Sequence, residues 1–124
     1  MKAKTRRAVT LQLRPRIMLG DHIAIGPGKA ELLRLVGETG SISEAARRMK
    51  MSYMRAWTLF RTMNSCFCEP VIATTRGGKE RGGAKLTVTG ARLLRLYDQL
   101  VSQCLASTEA TRPGFAALLK SSRK

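Results

Sequence analysis

The sequence predicts a mainly α fold with a small β component, and three observations carry that prediction. Two short helical patterns separated by a tight turn lie between residues 41 and 64, two β-type runs flank a glycine-rich charged stretch between 71 and 88, and one amphipathic pattern continues to about Ser107. In that order they make a winged helix-turn-helix closed by a long C-terminal dimerisation helix. At 124 residues the chain has the length of one domain, and its 44% apolar content supports a buried core. The expected organisation is a basic arm over residues 1–8, a winged domain over 9–108 that includes a dimer helix at about 88–107, and a basic tail over 109–124.

After the arm MKAKTRR, the run from Val9 to Ile25 is strand-like, with Pro15 interrupting it and a turn expected at Gly20-Asp21, so two short strands are expected. Gly26-Pro27-Gly28 then punctuates the chain. From Lys29, Leu32, Leu33, Leu35 and Val36 form the apolar face of a first helix that ends near Gly40. In the second helix Ile42, Ala45, Ala46 and Met49 fall at i, i+3, i+4 and i+7, and either Ser41 or Ser43 caps it. Its small alanines permit the close crossing that a short turn demands. Lys50-Met51 makes that turn, and Ser52 caps a third helix to about Asn64 that turns Ala56, Phe60 and Met63 inward.

Val71–Thr75 and Lys85–Val88 read as a hairpin around the tip RGGKERGG. Thr87 or Thr89 caps the last helix, whose Leu93, Tyr97, Leu100 and Cys104 step by four, three and four. Leu94, Leu96, Val101 and Leu105 widen that face beyond what one small domain requires. Beyond Arg112-Pro113-Gly114 the only pattern is a short amphipathic turn from Phe115 to Leu119.

The charge sharpens the reading. The 23 Lys and Arg against 8 Asp and Glu leave a net +15, which favours a polyanionic partner because bound phosphates release condensed counterions. Segment by segment the excess is +6 over residues 1–16, +4 over 41–64, +2 over 65–85 and +4 over 111–124, while 86–110 is neutral. The positive charge therefore gathers on the helix-turn-helix, the hairpin and the two ends, and the segment that holds the expected dimer helix is neutral overall.

A helix-turn-helix followed by a wing places its second helix in the major groove of double-stranded DNA and its hairpin tip on the neighbouring backbone. The outward arc of the third helix holds Met54, Thr58 and Arg61, flanked by Trp57 on one side and Arg55 on the other, with no acidic residue. Arg55 or Arg61 suits a bidentate pair to guanine, while Ser52, Tyr53 and Thr58 suit phosphate hydrogen bonds. Trp57 sits at the edge of the inward face, between core packing and DNA contact. Ser41 and Ser43 at the start of the second helix are further candidates for DNA contact, and Arg76, Lys79, Arg81 and Lys85 place four cations on the wing for the phosphates. A phosphate-cradling nucleotide loop is excluded: Gly78 and Gly83 have its spacing, but Ala84 stands where that loop needs lysine.

The run GSISEAARRMKMSYMRAWTLFRTMN from Gly40 to Asn64, the Gly-Gly wing and the helix GARLLRLYDQL resemble the N-terminal winged-helix domain of the ModE-type molybdate-responsive transcription regulators, itself similar to the LysR-type DNA-binding domain. The resemblance covers most of residues 11–105. It implies a dimeric regulator that contacts DNA through the third helix and the wing. Family members carry molybdate-binding domains for which 124 residues leave no room, so the resemblance carries DNA binding and not molybdate sensing.

Other functions have less support. One histidine, His22, and eight scattered carboxylates offer no acid/base pair or triad, so no enzyme, metal site or cofactor is expected. Cys66, Cys68 and Cys104 are expected as free thiols; a metal- or redox-responsive sensor built on them is the alternative function, and charge-driven nonspecific nucleic-acid binding is another. No apolar run reaches the roughly 20 residues of a spanning helix. A cytoplasmic homodimer without a membrane partner is the expectation, and no residue identifies a small-molecule effector.

Overall fold

The computed structural model of the chain describes residues 8–74 and 83–120. They contain strands β1 (Ile17–Leu19) and β2 (His22–Ile25), helices α1 (Pro27–Thr39), α2 (Ile42–Arg48) and α3 (Tyr53–Cys66), strands β3 (Ile72–Thr74) and β4 (Ala84–Leu86), and helices α4 (Val88–Ser107) and α5 (Arg112–Leu118). The arrangement is the winged helix-turn-helix expected. Two compact units divide the chain, one spanning Arg14–Asp98 and the other holding, among the described residues, 8–13 and 99–120.

In the larger unit β1 and β2 form an antiparallel hairpin that turns at Gly20, whose φ of +62° is the left-handed conformation glycine adopts without strain. Val9 to Leu13 takes no part in it: the strand-like run is strand only from Ile17 onward. Pro27 starts α1, and Gly40 ends it at φ +70° with its N–H on the Val36 carbonyl at 2.8 Å. The side chains of Leu32, Leu33 and Val36 from α1, Ile42, Ala45 and Ala46 from α2, and Ala56, Phe60 and Met63 from α3 are buried together in one core. Ala45 and Ala46 are buried where α2 meets its neighbours, in keeping with the close crossing expected over a short turn.

The turn between α2 and α3 holds a feature that composition conceals. Lys50 donates its N–H to the Arg47 carbonyl at 3.0 Å and Met51 donates to the Ala46 carbonyl at 3.0 Å, a double closure that needs a left-handed residue between them. That residue is Lys50 at φ +59°, where glycine is the usual occupant. The turn therefore stores strain.

The wing is anchored at its base. Ile72 faces Leu86, Ala73 faces Lys85 and Thr74 faces Ala84, while Ala84 also donates its N–H to the Gly40 carbonyl at 3.0 Å, joining the hairpin to the entrance of α2. Val71, fully buried, is held from two sides: its N–H donates to Asn64 Oδ1 at 2.8 Å and its carbonyl accepts from the Thr87 N–H at 3.1 Å. Thr87 caps α4 by accepting the Gly90 N–H at 2.9 Å. Farther along, Tyr97 is buried and donates its hydroxyl to the Pro15 carbonyl, and Asp98 receives both ends of the Arg34 guanidinium at 2.9 and 3.0 Å.

In the smaller unit α5 occupies residues for which the sequence offered only a short turn. Arg112 donates to the Leu105 carbonyl at 2.7 Å, and Phe115 and Leu119 line an apolar groove with Val9, Leu11 and Leu13.

Candidate nucleic-acid interface

The third helix is organised by its buried face. Because Ala56, Phe60 and Met63 are fully buried, the opposite arc is fixed in place, and it presents Tyr53, Met54, Arg55, Thr58 and Arg61 to solvent. Met54, a large apolar side chain, is 65% exposed. Ser52 caps α3 by accepting the Arg55 N–H at 3.0 Å, which fixes where the exposed arc begins.

The cations on α2 and α3 are treated differently. Glu44 binds both Arg47 and Arg48 on α2, and the two guanidiniums, Arg47 first, pull its carboxyl down to about 2. Among the described residues, Arg55 and Arg61 on α3 make no ion pair, so their donors face solvent unmatched. A face holding unmatched guanidiniums and no acid suits phosphate or the guanine edge.

The hydroxyls also divide by what their protons already do. Ser52 Oγ and Tyr53 Oη each accept one bond, from the Arg55 N–H and from Trp57 Nε1 at 2.6 Å, and retain a proton to donate. Thr58 Oγ1 instead donates its proton to the Met54 carbonyl at 3.0 Å. It presents lone pairs and a methyl, not the donor that the sequence reading assigned to it. Trp57 is half-buried, packs against the core, and meets the Tyr53 ring edge-on with centroids 6.4 Å apart.

Of the remaining candidates, Ser41 is the cap of α2, accepting the Glu44 N–H at 3.0 Å, so the choice between the two serines falls to it; Ser43 is exposed. Lys85 is exposed on β4, whereas Arg76, Lys79 and Arg81 lie outside the described residues. Sequence reasoning passed over Lys50, an exposed cation at the turn next to α3, and Asn64, which ties the wing base to α3. The signal for Asn64 was a polar side chain where the third helix was expected to end; the helix runs on to Cys66. Cys66 and Cys104 are half-buried and Cys68 exposed, all as free thiols, and no cluster of metal-ligating side chains occurs among the described residues. No described helix is long and apolar enough to cross a membrane.

A helix-turn-helix whose second helix exposes two arginines, backed by a hairpin anchored at Val71, defines a winged helix-turn-helix protein. Its relatives narrow the class. The chain is 39% identical over 84 residues to the transcriptional regulator ModE of Haemophilus influenzae, 40% over 88 residues to the molybdenum-pterin-binding protein MopB of Rhodobacter capsulatus, and 39% over 84 residues to the DNA-binding transcriptional dual regulator ModE of Escherichia coli. Each match covers 68% of this chain and 32 to 33% of the relative, so the chain spans about a third of the length of the curated relatives it matches. The chain is thus similar to ModE-type regulators over two thirds of its length, as the Gly40–Asn64 run indicated. No protein-family profile matches it.

Proposed function

We propose that this protein is a cytoplasmic, non-enzymatic, sequence-specific DNA-binding transcription regulator that acts as a homodimer. The observation that carries the reading is the exposed arc of α3, where Arg55 and Arg61 make no ion pair among the described residues, on a helix whose opposite face buries Ala56, Phe60 and Met63. In this reading α3 enters the major groove, Arg55 or Arg61 pairs with guanine, and Ser52 and Tyr53 fix the register on phosphates. The wing lies on the adjacent backbone through Lys85 and the tip cations Arg76, Lys79 and Arg81. The names of the relatives, two of them transcriptional regulators called ModE, agree with it.

The dimer rests on α4. Only Gly90 and Tyr97 of its 20 residues are buried, and Leu93, Leu94, Leu100, Val101 and Leu105 remain half-exposed with Leu96 fully so. A second copy covers such a face and sets two recognition helices for half-sites about one turn, ~34 Å, apart.

Enrichment of duplexes from a random library tests the reading. A recovered two-fold symmetric motif, bound far more tightly than bulk DNA, is the expected result. Arg55→Ala and Arg61→Ala should then narrow the ratio of specific to nonspecific affinity, each discriminating contact being worth about 1 to 3 kcal/mol. Equal loss on every sequence would reduce the protein to an electrostatic binder, and a monomer by light scattering at micromolar concentration with full affinity would remove the dimer.

A further inference from the structure

We infer that Trp57 is a positioning residue for Tyr53, and that the Tyr53 hydroxyl is thereby set as a donor to one DNA phosphate at the rim of the groove; the inference rests on the DNA-binding reading above. A phenol has one proton and two acceptor positions. Trp57 Nε1, a donor and never an acceptor, occupies one acceptor position of Tyr53 Oη at 2.6 Å. The tyrosine proton is directed away from the indole, and among the described residues it has no acceptor. The pair is one turn of α3 apart, so the edge-on contact of the two rings fixes the phenol as well as its hydroxyl.

The division of labour follows from exposure. Trp57 is anchored against the core while Tyr53 is 38% exposed at the first position of α3, next to the capping Ser52, whose hydroxyl also keeps its proton. A phosphate oxygen only accepts, and neutral donors of fixed direction at a helix start register the helix on the backbone without reading sequence. Trp57, whose N–H is already engaged by Tyr53, acts through that neighbour and not on the DNA directly.

The test uses the full chain and the tightest duplex from the random library, with single phosphates replaced in turn by uncharged methylphosphonate. Tyr53→Phe should weaken binding about tenfold, the scale of one hydrogen bond to a charged acceptor, on specific and unrelated duplexes alike. The slope of log affinity against log salt should not change, because a neutral donor releases no counterion. One methylphosphonate position that weakens the wild type should have lost that extra effect in Tyr53→Phe. Trp57→Phe, which keeps an aromatic ring but no N–H, should show a smaller loss at the same position, and the double variant should be no weaker than Tyr53→Phe alone. An unchanged methylphosphonate profile in Tyr53→Phe, or additive losses in the double variant, would overturn the inference while leaving DNA binding intact. Failure of the library to yield any duplex would instead overturn the DNA-binding reading itself.

Discussion

Gly90 is the position where the smallest change should do the most damage. A Cβ there would lie 2.0 Å from the Val71 carbonyl oxygen, 2.9 Å from its carbonyl carbon and 3.3 Å from its Cα. An ordinary carbon–oxygen contact is about 3.3 Å, so the two backbones must part by more than an ångström. Val71 has no room to yield: it is fully buried, and its N–H and carbonyl are both engaged, by Asn64 Oδ1 and by the Thr87 N–H. Overpacking of this kind costs about 1 to 3 kcal/mol. Loss of the Thr87 contacts to Val71 and Pro70 adds about 1 kcal/mol for each, against which the helical preference of alanine returns about 1 kcal/mol. The net is a destabilisation of about 3 kcal/mol, or a fall of about 12 to 24 °C in Tm for a domain this size. Gly37 on α1 is the control, because its added Cβ would meet only the Leu86 side chain, Cδ1 at 3.1 Å, which can turn aside. Thermal melts followed by circular dichroism should show Gly90→Ala far below wild type and Gly37→Ala at or slightly above it. A Gly90→Ala melt within about 4 °C of wild type would refute the close-approach argument.

Three other variants test separate parts of the structure. Lys50→Gly should raise Tm by about 4 to 8 °C, since it relieves about 1 kcal/mol of left-handed strain, and a lower Tm would mean that the lysine is not strained. Glu44 has its carboxyl pulled from 4.5 to about 2 by Arg47 and Arg48, so its ionised form stabilises the fold above about 4.5 and that contribution fades as pH falls toward 2. The Tm gap between wild type and Glu44→Gln should accordingly be widest near neutrality and close on acidification; a gap independent of pH sinks the assignment. Thr58→Val keeps shape and methyl but removes the lone pairs left exposed by the bond to Met54, so it should alter preference at one base pair in repeated library selections without changing the salt slope.

The sequence by itself determined the order of the first four helices, the inward face of the third and the place of the wing. Each of these is a local periodicity: Ala56, Phe60 and Met63 repeat at helical spacing, and the runs at Ile72 and Lys85 are broken by glycines, so neighbouring residues suffice to read them. Only the tertiary structure decided what joins residues that the chain keeps apart. Tyr97 reaches the Pro15 carbonyl across 82 positions and Arg34 grips Asp98 across 64, contacts that no window along the chain contains. The strain at Lys50 was hidden because a glycine there would have announced the left-handed turn and a lysine does not. The same holds for chemistry on the exposed arc. Residue type nominated Tyr53, Trp57 and Thr58, but which hydroxyl keeps its proton depends on the direction of bonds to an indole and a helix carbonyl, and that direction exists only once the helix has formed and packed.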